Sequence, residues 1–99
     1  MKPVLHDPEA QSDIFAAVRF YEGRHQGLGE QFLRAVERTV RRIAERPESF
    51  AHYEEPVRSC RVPKFPYRVL YVNDSEAIWI IALAHLSRMP GWWRYRLNR

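Results

Sequence analysis

The residues best suited to chemistry in this chain are His85, Arg61, Arg68, Arg88 and Tyr95, with Glu54 and Glu55 ahead of the second half of the sequence. Together they are acid–base groups and fixed cations, the residue types that general acid–base work at a phosphate ester uses. Such work needs a base, a positive group facing the five-coordinate phosphorus and an acid for the leaving oxygen. His85 would serve as base or acid, and Arg61, Arg68 or Arg88 would meet the phosphate with forked donors. Tyr95 would give a proton or stack on a base, and Glu54 or Glu55 would offer a carboxylate base. Each also has a plainer reading. A lone histidine closing an apolar run is commonly a hydrogen-bonded structural residue. Arg68 alternates with Tyr67 and Val69, so its stem can simply cover sheet surface. Adjacent glutamates are usual in loops. A second set, Arg88, Trp92, Trp93, Arg94 and Tyr95, has the aromatic and guanidinium chemistry of a binding patch that turns nothing over. Its tryptophans have a plainer reading too, as packing rather than base-stacking.

Charge frames both sets. The formal net charge is +4, but it is uneven. Arg58, Arg61, Lys64 and Arg68 lie between Pro56 and Asn73 with no acid, and Arg88, Arg94, Arg96 and Arg99 lie after His85 with none. These eight positive charges leave eight basic and twelve acidic residues elsewhere, or −4, and the total returns to +4. A regional excess of this kind steers an acidic partner, although arginines can also do no more than solvate a surface.

The elements that must position these residues follow from period and punctuation. Lys2 to His6 reads as a short strand. Asp7 as N-cap, Pro8 at the first helical position and Glu9 near the positive helix end open a helix, with Ala10, Ile14, Val18 and Tyr21 along one stripe. Gly23 is expected to end it, and Gly27 and Gly29 to frame a turn. From about Glu30 to Glu45 a second helix buries Phe32, Val36, Val40 and Ile43, carries Glu30–Arg34 and Glu37–Arg41 outside, and stops at Pro47. A loop this short makes the helices antiparallel. Strands follow at Val57–Val62, Tyr67–Val72 and Ala77–His85, the last two joined through Asn73-Asp74-Ser75-Glu76. The final strand is apolar on both alternating faces, with Ile78, Ile80, Ala82 and Ala84 on one and Trp79, Ile81 and Leu83 on the other. It belongs in the middle of a sheet covered on both sides. The expected fold is α+β: two antiparallel helices on one face of a small antiparallel sheet, in the order strand-helix-helix-strand-strand-strand, as a single domain over residues 1–99. Residues 86–99 form a basic aromatic C-terminal segment that covers part of the other face.

A chain this short buries only about 60–70% of its unfolded surface, so its stability is modest and a permanent partner would add to it. The single cysteine, Cys60, excludes an internal disulfide and fits a reducing compartment. The N-terminus has no apolar run of signal-peptide length, and Ala77 to Ala84 is too short to span a bilayer. A cytoplasmic protein with no membrane association, no cofactor and no metal is expected.

The order and spacing of several short stretches resemble the RelE/ParE superfamily of type II toxin–antitoxin toxins, in particular its ParE-like plasmid-stabilisation branch. These are Tyr21, Gly27-Leu28-Gly29, Phe32-Leu33, Val36, Ile43 with Pro47 and Phe50, Phe65-Pro66-Tyr67-Arg68-Val69 and Tyr71, then Leu83-Ala84-His85 with Arg88, Pro90 and Trp93. The likeness spans about Leu5 to Arg96. It implies two helices against an antiparallel sheet, and a cognate antitoxin whose C-terminal segment wraps and blocks the toxin. It also implies one of two activities that fold alone does not separate. ParE-like members inhibit DNA gyrase by binding, and RelE-like members cleave messenger RNA on the ribosome. The stretch Leu83 to Met89 resembles the ParE-like branch, so gyrase is the leading target and ribosome-bound messenger RNA the alternative. The Pro90-Gly91-Trp92-Trp93 ending departs from the best-characterised gyrase inhibitors. A non-toxic nucleic-acid-binding module is a third reading of the same arginines and aromatics.

Overall fold

Local signals place most elements where the period of the sequence does. The computed structural model describes residues 1–98. Strand β1 (Val4–His6) leads into helices α1 (Pro8–Arg24) and α2 (Leu28–Glu45). Strands β2 (His52–Glu54), β3 (Val57–Arg61), β4 (Tyr67–Asn73) and β5 (Ile78–His85) follow, and a 3₁₀ turn (Arg94–Asn98) closes the described chain. Asp7 caps α1 through a bond from the Glu9 N–H, as its position before Pro8 predicts.

The helix junction differs from expectation. Gly23 lies inside α1, which continues to Arg24, and the left-handed residue is Gly27, at φ +86°. Gly27 has no side chain with which to cap α2. Glu22 replaces it, its carboxylate accepting from the N–H groups of Gly27 and Gly29 at 3.0–3.1 Å. Orphan donors and the positive end of α2 are thereby met from the neighbouring helix. Gly29 is required by approach: a Cβ there would sit 2.7 Å from the Val18 carbonyl oxygen. Tyr21 then meets Phe32, while Ile14 and Val36 line one groove further along, so the helices run antiparallel. Of the two expected ion pairs on α2, only Glu30–Arg34 closes among the described residues.

The sheet has five strands in the order β1-β5-β4-β3-β2. Two of its features depart from the sequence expectation. β1 pairs with β5 in parallel, the long crossover being supplied by both helices and the other strands. β2, wholly exposed and three residues long, extends the meander beyond β3. Strand β5 is interior, as a run apolar on both faces predicts. Its faces are not divided by simple alternation. Leu70 pairs with Ala82 while Tyr71 pairs with Ile80, so Ile81 is the extra residue of a β-bulge. The bulge moves Leu83 to the helix side with Ile78 and Ile80, and moves Ala82 and Ala84 to the other side with Ile81.

Two cores result. Between helices and sheet lie Ala10, Ile14, Phe32, Val36, Ile43, Val69 and Tyr71, with Cys60 among them. Tyr21, Phe32, Phe65 and Tyr67 add an edge-to-face aromatic group with centroids 4.9–6.2 Å apart. Across the sheet, Trp93 fills a smaller core with Val57, Leu70, Ala82 and Ala84, so the C-terminal segment covers part of that face.

Gly23→Ala, with open space around it, should raise stability by about 0.5–1 kcal/mol. Gly29→Ala should lower it by roughly 1–3 kcal/mol. Opposite shifts in thermal midpoint check the pair. A second outcome concerns alkali. Tyr71 is fully buried, donates to the Pro47 carbonyl at 2.7 Å, and has its pKa pushed up to about 12, chiefly by burial. Its contribution is complete below the unfolded value near ~10 and is lost as pH rises from there to about 12. Denaturant midpoints measured across that window should fall, and Tyr71→Phe should flatten the fall.

Candidate functional site

Register decides which candidate side chains meet. Arg61 pairs directly with Arg68, and Arg68 with Ala84, so both arginines stand on the sheet face that carries Trp93. Tyr67 pairs with His85, and the two rings meet edge-on at 5.0 Å. Because Tyr67 packs on Tyr21 and Phe32, His85 faces the helix side. The sheet itself therefore separates His85 from Arg61 and Arg68. His85 Nδ1 accepts the Ser87 N–H at 3.1 Å and lies 2.8 Å from the Ser87 hydroxyl, while its carbonyl accepts from the Arg88 N–H. The ring holds the turn after β5. Arg61 gives one bond, to the Phe65 carbonyl at 3.3 Å.

The tail is held by internal pairs. Trp93 is buried, with Tyr53 at 6.1 Å. Arg94 forks onto both oxygens of Glu54, and this bond holds the Glu54 carboxyl below the usual glutamate range. Glu55 faces His52 at 2.6 Å. Tyr95 donates its hydroxyl to Glu9. Arg88 lies 3.7 Å over the Trp92 ring, and the guanidinium of Arg96 lies 4.9 Å from the same ring. Arg99, the fourth arginine of this tail, lies outside the described residues.

Arg96 and Asp13, neither of them a sequence candidate, organise the segment. Arg96 is only 6% exposed. It donates to Asp13 at 2.7 and 3.2 Å and to the Ile81 carbonyl at 2.8 Å, with Glu9 at 3.7 Å. Asp13 also accepts the Leu83 N–H at 3.1 Å. Burial pulls the Arg96 pKa down, but its bonds to Asp13 and Tyr95 outweigh this and the net direction is up. The backbone groups so engaged belong to β5 at the bulge, beyond the last residue that β1 pairs. A side-chain ion pair thus replaces the missing strand. Asp13 was detectable in the sequence: it shares the inward stripe with Ala10, Ile14 and Ala17, where a carboxylate requires a partner.

What stays exposed at the end of β5 is a knob of Leu86, Arg88 and Met89 (80% exposed) beside half-buried Trp92. No group of three His, Cys, Asp or Glu side chains converges to hold a metal among the described residues. Among them, too, no helix is long and apolar enough to cross a membrane.

A family model described as the ParE toxin of the type II toxin-antitoxin system parDE matches residues 4–90. No curated protein matches the chain. Nine solved chains do. One, from a structure titled as the chromosomal ParDE TA system from P. aeruginosa, has a TM-score of 0.65 at 18% identity, covering 88% of this chain and 98% of that one. At that identity the likeness shows the fold.

Arg96→Met should cost about 3–5 kcal/mol in urea unfolding, because it leaves Asp13 without a counter-charge and the Ile81 carbonyl without its donor. Asp13→Asn should lose less, since an amide still accepts from Leu83. The double variant should cost clearly less than the sum of the two singles; additive losses would mean the residues act independently.

Proposed function

Because the chain belongs to the ParE toxin family of type II toxin–antitoxin systems, we propose that it arrests bacterial growth by binding DNA gyrase in the cytoplasm, and that a cognate antitoxin neutralises it. The observation that carries the binding reading is the separation of His85 from the two sheet arginines of the candidate catalytic set, which leaves Arg88, stacked on Trp92, as the candidate cation on its own turn. His85 faces the helices and spends Nδ1 on its own turn, whereas Arg61 and Arg68 face the opposite side. Transfer of a proton at a phosphate needs the acid–base group and the positive charge within reach of one substrate. Glu54 and Glu55, the other candidate bases, are engaged by Arg94 and His52.

A binding inhibitor needs only a shaped patch with anchors. Leu86, Arg88, Met89 and Trp92 supply one, held at the end of β5 by Trp93 and Arg96. Arg94 and Tyr95, also candidates for target contact, are tied to Glu54 and Glu9, and serve this reading by fixing the tail. For the antitoxin, the helix pair offers a groove of about 430 Å³ lined by Ile14, Phe15, Leu33, Val36 and Val40. It suits the apolar face of an amphipathic segment.

Expression of the chain alone should stop growth, and co-expression of the neighbouring antitoxin gene should restore it. Purified protein should inhibit gyrase supercoiling and leave translated messenger RNA intact. Arg88→Ala and Trp92→Ala should each weaken inhibition about tenfold or more, while His85→Asn, whose amide oxygen can still accept from the Ser87 N–H, keeps it. Ribosome-dependent RNA cuts with normal supercoiling, abolished by His85→Asn, would establish the RelE-like alternative instead.

A further inference from the structure

Among the described residues, the positive charge without a counter-ion is not concentrated in the tail. Arg94 and Arg96 are consumed by Glu54, Asp13 and Glu9. Arg38, Arg42 and Arg46, by contrast, follow at four-residue steps on α2 and its C-cap, all exposed and with no ion pair among the described residues. Four-residue steps put them on adjoining turns, about 6 Å apart along the axis. Arg58 joins them from β3. It donates to the Phe50 carbonyl at 2.8 Å, and Arg42 lies 5.4 Å over the Phe50 ring, so the two guanidiniums flank one residue. The carboxylates of Glu45 and Glu48 border the row without pairing with it among the described residues.

We propose that this arginine row along α2 and β3 is a second interaction surface that binds the phosphate backbone of a nucleic acid. Three features favour that partner. First, the row is a comb of charge on a straight rod, which fits a polymer whose own charge recurs every ~3.4 Å of rise per strand. Second, it is built from arginine alone, whose planar fork matches phosphate oxygens in pairs. Third, the aromatic side chain within the row, half-buried Phe50, lies under the Arg42 guanidinium, so the row presents cations where a protein–protein interface would centre an open aromatic or aliphatic anchor. Surfaces for nucleic acid are more polar and more positive than those for protein. Part of the row also compensates the negative end of α2. That local task needs only the last turn and does not account for Arg38 or Arg58.

The test is fluorescence anisotropy of a labelled duplex of about 24 base pairs, titrated with the whole chain over roughly 50–200 mM salt. Arg38→Gln/Arg46→Gln removes two exposed guanidiniums that form no ion pair among the described residues, and an unchanged thermal midpoint verifies the fold. The plot of log affinity against log salt should become shallower by roughly 1.8, about 0.9 for each phosphate no longer neutralised. Arg42→Gln alone should give about half that change. Arg19→Gln/Arg24→Gln, an equal loss of charge on α1, should leave the slope at the wild-type value. Equal slopes for the two double variants would overturn the proposal, as would no binding at the low-salt limit. Displacement of the duplex by poly-glutamate as readily as by unlabelled DNA would overturn it in favour of an acidic protein partner.

Discussion

The ion pair between Arg96 and Asp13 is the constraint on which the rest of this molecule turns. Burying two charges is costly, and their attraction alone rarely returns the cost. Here both groups also satisfy backbone that nothing else reaches. Ile81 and Leu83 sit at a bulge, past the point where β1 departs to begin α1. Their carbonyl and N–H would otherwise be left unpaired at the margin of a buried strand, a loss of about 1–3 kcal/mol each. One contact therefore joins the first helix, the interior strand and the last described turn.

Its placement has an electrostatic result. The tail supplies much of the regional excess of positive charge in the sequence, yet two of its arginines point inward or across to β2. Trp92 lies near the guanidiniums of both Arg88 and Arg96, so its ring serves a structural cation and an exposed one together. The exposed end of β5 is consequently more apolar than its composition suggests. Among the described residues, the cations outside any ion pair are spread over α1, α2, β3 and the sheet face around Arg61 and Arg68, with Arg88 at the end of β5. Charge counting along a chain locates excess; ion pairing in the fold decides where the field emerges.

Much of the architecture was legible because it rests on local periods. Asp7-Pro8-Glu9 set the start of α1, the apolar steps from Phe32 to Ile43 set the inner face of α2, and the two-sided apolar run put β5 inside the sheet. The misreadings share a different cause, which is dependence on partners distant in sequence. Gly23 resembles a stop signal, but Glu22 caps the next helix and α1 continues to Arg24. β2 has no buried residue and hence no pattern; only its pairing with β3 makes it a strand. A single bulged residue exchanged the faces of Ala82, Leu83 and Ala84 without altering the composition of the run. The same shift bears on the site, because it puts Ala84 with Arg68 on the Trp93 side and turns His85 toward Tyr67. Residue types alone placed His85, Arg61 and Arg68 in one set; register placed the histidine and these two arginines on opposite sides of the sheet.

The lone thiol of the chain occupies an informative position. Cys60 is 4% exposed in the middle of β3, and burial raises its pKa despite the nearby Arg42. In the folded state it is thus both shielded and protonated, and a thiolate is the form that reacts. Any alkylation of Cys60 must wait for β3 to separate from the helix layer. The rate of that modification is a built-in clock for the opening of the larger core, readable in the unaltered protein and free of interference from any other sulfhydryl.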